Sequence, residues 1–221
     1  MAPPLPEDLS EILDPTATNW LLQYFTDGRF PSPCLWSASE RKLFFLLPGG
    51  EYQYRYFGDN PSHPKWVGYG ISDQLVHIVG DLDNSIVLVE DLLSACKVGH
   101  ITPAMPLFGS HIGLKRLARL KQMGIEHVTI WLDNDKKEYA IKASKEAQML
   151  GLKTSVVITD KDPKEYSYED IATFLNLCYT DNHKAGISPA TDEGELNECT
   201  SSPAKPPATC NCQGIQATGT Y

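Results

Sequence analysis

The sequence predicts an α/β protein with a mostly parallel sheet flanked by helices, preceded by a small N-terminal subdomain that contains strands. Three observations carry this. From residue 85 onward, short apolar runs alternate with segments of helical periodicity, the order that a parallel sheet with crossover helices produces. Within that part, residues 136–150 place Ala140, Ala143, Ala147 and Leu150 on one narrow face of mostly small residues that can lie close against a sheet. Upstream, "KLFFLLPGGEYQYRYF" (42–57) reads as two strands around a Pro-Gly-Gly turn, the second alternating Tyr52, Tyr54 and Tyr56 with polar residues.

The elements follow in order. "MAPPLPEDLSEILDP" offers prolines and a short acidic helix candidate; "TATNWLLQYFTDG" then spaces Trp20, Leu21, Tyr24 and Phe25 as a helix and stops at Gly28. After the 42–57 hairpin comes a polar loop, "GDNPSHPKW", and then two candidate strands, "QLVHIV" and "SIVLVE", around the turn "GDLDN". The alternation proper is strand 85–89, helix 91–98, extended "ITPAMPLF", helix 110–123, strand 127–132, helix 136–150, strand 153–159 and helix 168–178. Residues 1–83 thus form the N-terminal subdomain and 84–180 the α/β domain. Residues 181–221, rich in Pro, Ser, Thr and Gly and nearly free of large apolar side chains, read as a disordered tail.

Composition narrows the function classes. No apolar run reaches the length of a bilayer crossing, and no charged-then-apolar leader opens the chain, so the expectation is a soluble cytoplasmic protein with no membrane association. None of the six cysteines forms a CxxC pair, and reduced thiols are expected; Cys210 and Cys212 are the one close pair. The net charge is −9, and without the five acidic and two basic residues of 181–221 the remainder still holds 23 acids against 17 bases. Such a chain grips nucleic acid only through local clusters. Two exist: Arg29, Arg41, Lys42, Arg55 and Lys65, and the helix segment with Lys115, Arg116, Arg119 and Lys121.

The chemistry lies at the strand ends. "IWLDND" (130–135) closes an apolar run with Asp133 and Asp135, although unpaired charge beside a buried strand is costly. Glu90 ends "SIVLVE", and Asp162 follows "KTSVVIT". In an open parallel sheet, ligands bind beyond the carboxyl ends of the strands, and there these four carboxylates fall. Oxygen-only ligation suits Mg²⁺ or Mn²⁺. The competing reading for any single acid is helix capping, for which Asp91 and Asp135 are placed.

A strand ending in Glu, a later one ending in Asp-x-Asp and an acidic loop after the next resemble the Toprim domain, a Rossmann-like fold of bacterial-type primases, topoisomerases, and recombination and repair nucleases. The chain is most similar to phage-type primases, which are often fused to a ring helicase. The likeness covers residues 84–178 and rests on "IVLVEDLLSA", on "PLFGSHIG" before a basic helix, and on "IWLDNDKKEYAIKASKEAQMLG" leading to "VITDKDPKEYSYEDI". Lys161, Asp162 and Glu165 match the Lys-Asp-x-x-Glu of those primases, and the hairpin with "HPKWVGYG" resembles, more loosely, their basic subdomain.

The resemblance implies that Glu90 is a general acid/base or metal ligand, that Asp133 and Asp135 hold catalytic Mg²⁺ or Mn²⁺, and that Asp162 assists. It makes Arg55, Lys65, Lys97 and Lys161 the candidates for contacting nucleotides or template. The chain also departs from the pattern: Asp91 and Ser94 stand where those primases place Gly and a further Asp, and "KKEY" replaces a small pair after Asp-x-Asp. No zinc ribbon of the kind that reads a DNA trinucleotide occurs in the sequence.

The expected function is therefore a DNA primase, a metal-dependent nucleotidyltransferase that makes primers on single-stranded DNA in viral replication, in the host cytoplasm. Its substrates would be ribonucleoside triphosphates, with a replicative helicase or single-strand-binding protein delivering the template. Two other readings stay open, a Toprim nuclease and a non-catalytic nucleic-acid-binding protein of replication. The tail gives a first prediction: truncation after residue 182 leaves the melting temperature within about 2 °C, because that segment has too little apolar surface to repay its ordering entropy. A scanning-fluorimetry comparison of the two chains checks it.

Overall fold

In the computed structural model, which describes residues 3–177 apart from Asp73 and Ser110, two sheets of opposite character share one apolar seam. The expected tail and Cys178, Cys199, Cys210 and Cys212 lie outside the described residues; Cys34 and Cys96 are free thiols.

The first sheet is antiparallel and has five strands in sequential order. They are β1 (Leu9–Ser10), β2 (Cys34–Ser37), β3 (Lys42–Leu46), β4 (Tyr52–Tyr56) and β5 (Trp66–Tyr69). Helix α1 (Pro15–Leu22) starts where the Asp14 carboxylate accepts from the Thr16 amide at 2.7 Å, and it buries Ala17 and Leu21. The hairpin of β3 and β4 is as the alternation predicts. Three features differ. The acidic segment near residue 10 is an edge strand and not a helix, because the Asp8 carboxylate accepts from the Ser37 hydroxyl at 2.7 Å and the Ser39 amide at 2.8 Å and so ties the segment to β2. The loop "GDNPSHPKW" ends in a strand, since Trp66 packs its ring against Trp20 and Phe45. "QLVHIV" contributes a single bridge, Val79 to Ala104, before Gly80 turns the chain away at φ +91°.

The second sheet holds β6 (Ser85–Val89), β7 (Ala104–Pro106), β8 (His127–Trp131) and β9 (Lys153–Val156), all parallel, in the order β7-β6-β8-β9. Helices α2 (Leu92–Gly99), α3 (Leu114–Gln122), α4 (Lys137–Met149) and α5 (Tyr168–Phe174) make the connections and the final turn. Strand pleating assigns the faces. Ile86, Leu88, Val128 and Ile130 pack with Leu117, Leu120, Ala140, Ala143 and Ala147 of α3 and α4, the small-residue face doing what its spacing predicts. Val87, Val89 and Trp131 face the other way, against α2 and against Leu43 and Phe45 of the first sheet. The two sheets therefore have one continuous core between them. Among the described residues no helix is long and apolar enough to cross a membrane.

Arg116 is withdrawn from the basic cluster expected with Lys115, Arg119 and Lys121. It is 1% exposed, and its guanidinium donates to the carbonyls of Leu107 (3.4 Å), His111 (3.5 Å) and Ser72 (3.2 Å). It thereby fixes the loop after β7 to the linker between the sheets. Arg116→Met leaves those carbonyls without their charged donor and lowers unfolding stability by about 3 kcal/mol, measured by urea denaturation.

Candidate metal centre and adjoining cleft

The carboxyl ends of β6, β8 and β9 lie side by side, as the register of their pairing requires. Glu90 follows β6, and its carbonyl accepts from the Gly109 amide at 3.1 Å, which holds the loop after β7 beside it. Asp133 follows β8 by two residues and opens the turn Asn134–Lys136. Asp162 opens the equivalent turn after β9, Pro163–Glu165. Short turns at the same level of neighbouring strands bring these acids together.

The electrostatics show how close they come. Burial pushes the Asp133 carboxyl up to about 7, and the charges of Asp162 and then Glu90 add to the shift. Glu90 is raised as well, first by burial, with Lys136 opposing and Asp135, Asp91 and Asp162 reinforcing. One oxygen of each, Oε2 of Glu90 and Oδ1 of Asp133, is buried without a hydrogen-bond partner. Such oxygens are costly unless a cation meets them.

Two lysines offset part of this charge. Lys164, with 15% of its side chain exposed, donates from Nζ to Asp162 Oδ2 at 2.6 Å and to Asp91 Oδ2 at 2.9 Å. Burial disfavours its charge, but the two carboxylates more than offset that and hold the ammonium above its usual range. Lys136 pairs with Asp135, which is exposed. Asp135, expected as a ligand beside Asp133, is thus exposed and paired with Lys136, while its charge is still felt at Glu90.

Asp91 and Lys164 are the residues that reading the sequence missed. The Asp91 carboxylate caps α2, accepting from the amides of Leu93 (2.9 Å) and Ser94 (3.1 Å), and it also accepts from the Ser94 hydroxyl at 2.7 Å. Where the resemblance places an acid at position 94, the space holds a serine with the Asp91 carboxylate upon it. The cap assignment was legible; the second role was not, since its partner comes from 73 residues downstream.

A cleft of about 300 Å³ runs from this edge to the first sheet. Glu90, Asp91, Phe108, Gly109 and Lys164 line one wall; Trp20, Tyr24, Gln53, Arg55 and Trp66 line the other. The Arg55 guanidinium lies 4.4 Å from the Trp20 ring centre, 5.3 Å from Phe57 and 5.6 Å from Trp66, a cation held by aromatic faces. Of the four expected nucleotide contacts, only Arg55 lines this cleft. Lys65 is exposed just before β5 and Lys161 is exposed in the loop after β9, neither on the walls. Lys97 is corrected: it is 3% exposed, donates to the Tyr24 carbonyl, and lies 4.2 Å from the Tyr168 ring centre in a separate cavity with Asp27 and Arg29. Its position on the inner face of α2 sends it there.

Among the described residues no group of three or more His, Cys, Asp or Glu is arranged to hold a metal ion. The donors nevertheless suit a hard divalent cation at one point: Glu90 and Asp133 offer buried, unpartnered carboxylate oxygens, and Asp162 lies against Asp133. The pH dependence tests this charge balance. A carboxyl whose folded pKa is raised makes the native state bind more protons than the unfolded one, so stability falls as pH rises from 3.8 to about 7. Asp133→Asn removes that loss. Without metal, the variant melts higher than wild type above pH 7, and the gap narrows toward pH 4, as melting curves across pH will show.

No family model matches the chain, and no curated protein matches it. Among solved structures, the chain is similar to the crystal structure of the Aquifex aeolicus primase comprising its zinc-binding and RNA polymerase domains. Identity is 15% and the TM-score 0.49; the match covers 76% of this chain and 50% of that one, so the chain spans about half the length of that primase structure.

Proposed function

We propose that this chain is a primase-like nucleotidyltransferase of Toprim type, which joins ribonucleoside triphosphates on single-stranded DNA with the aid of Mg²⁺ or Mn²⁺. The observation that carries the proposal is one cleft in which buried, unpartnered carboxylate faces an aromatic-clasped arginine. Acid on one wall and cation on the other is the division of labour that phosphoryl transfer asks for.

Glu90, Asp133 and Asp162 would hold the metal, which when bound supplies charge neutralisation and a more acidic attacking hydroxyl. Arg55 would take phosphate oxygens through a guanidinium already fixed by Trp20 and Trp66. Burial raises the Glu90 carboxyl, so its charge is one that a bound cation would offset. Trp66 and Phe108 would give a base an apolar surface on either side of the cleft. The template would be delivered by a replicative helicase or a single-strand-binding protein, since the chain carries net charge −9.

The test is direct. Full-length protein with Mn²⁺, labelled ATP and a panel of single-stranded templates yields short ladders; cut template in their place indicates a nuclease. Asp133→Asn lowers ladder yield by roughly a hundredfold and Arg55→Ala by roughly tenfold, while charge reversal at Lys205 leaves it unchanged. Absence of both ladders and cutting across all templates and both metals removes the enzymatic reading.

A further inference from the structure

The Lys164 ammonium occupies the half of the acidic centre that Glu90 and Asp133 do not. We infer that it is a built-in competitor of the divalent cation: metal binding requires Lys164 to release Asp162, so the lysine sets how much free metal the protein needs. The inference rests on the metal-centre reading above and deepens it.

The geometry supports this in three ways. Nζ bonds one oxygen of Asp162 and one of Asp91, at 2.6 and 2.9 Å, so that two of the four acids near Glu90 already share one positive charge from within the chain. The two oxygens without partners, Glu90 Oε2 and Asp133 Oδ1, are those the lysine does not reach. Asp162 is shared, lying against Asp133 on one side and Lys164 on the other. A cation at Glu90 and Asp133 gains its third carboxylate only by drawing Asp162 from the ammonium. That also explains why, among the described residues, no three acids are arranged to hold an ion in this conformation.

Lys164 is able to yield. It sits in the one-turn segment Pro163–Glu165, and its side chain is 15% exposed, with Asp91 as a second partner that keeps the ammonium paired when Asp162 leaves. The exchange is thus a step from two carboxylates to one, and no charge is stranded. Lys145, exposed on α4 and outside the strand-end turns, serves as the control.

The experiment titrates full-length protein with Mn²⁺ alone and follows binding by calorimetry, with melting temperature alongside. Lys164→Gln binds Mn²⁺ at least tenfold tighter than wild type, and Lys145→Gln binds as wild type does. Lys164→Gln also melts lower than wild type without metal and regains more on adding it. If that variant does not fold alone, Mn²⁺-driven folding followed by circular dichroism is the expected result, and its absence overturns the inference. Unchanged or weaker Mn²⁺ affinity in Lys164→Gln, with wild type binding and Asp133→Asn not, overturns the competitor role and leaves the metal centre standing. Equal binding by Asp133→Asn, or no binding by any of the chains, removes the metal centre and the inference with it.

Discussion

Mutual repulsion among carboxylates at one sheet edge is the constraint around which this molecule is organised. Glu90, Asp133 and Asp162 are each fixed by the end of a different parallel strand, and the strands cannot separate without opening the core. The fold therefore cannot relieve the repulsion by moving the acids. It relieves it by bringing lysines: Lys164 from the turn after β9 and Lys136 from the turn after β8. What remains without a partner there is two buried oxygens, one of Glu90 and one of Asp133.

The burial that makes the acids costly also aims them. Val87, Val89 and Trp131 must pack against the first sheet, so the edge carrying Glu90 meets the edge carrying Arg55. A shared apolar seam sets the width between the walls. The loop after β7 completes one wall because Arg116 ties two of its carbonyls, Leu107 and His111, to the linker carbonyl of Ser72.

Much of this was legible in the sequence, and the exceptions have physical reasons. Alternating apolar strands and helices gave the parallel sheet, and strand-end position gave Glu90, Asp133 and Asp162, because both depend on local periodicity. Strands β1 and β5 were hidden, since a two-residue edge strand and a strand following a proline-rich loop owe their existence to partners elsewhere: Ser37 and Ser39 for the first, Trp20 and Phe45 for the second. Lysines were the least legible. A lysine in the sequence reads the same whether it is solvated, as Lys65 and Lys161 are in loops beside their strands, or swallowed, as Lys97 is on α2 beneath Tyr168. Only the third dimension tells which of several basic residues in one loop will turn inward, and in "DKDPKEY" it was Lys164.

The clasp around Arg55 has a consequence for recognition. Trp20 comes from α1, Phe57 from the end of the central hairpin and Trp66 from β5, so three separate parts of the chain close on one guanidinium. A side chain so confined has surrendered its rotamer freedom during folding and has little left to lose on meeting an anion. It also cannot follow a ligand that arrives off-centre. Such a wall would select by fit to a fixed position, and an anion would have to conform to it.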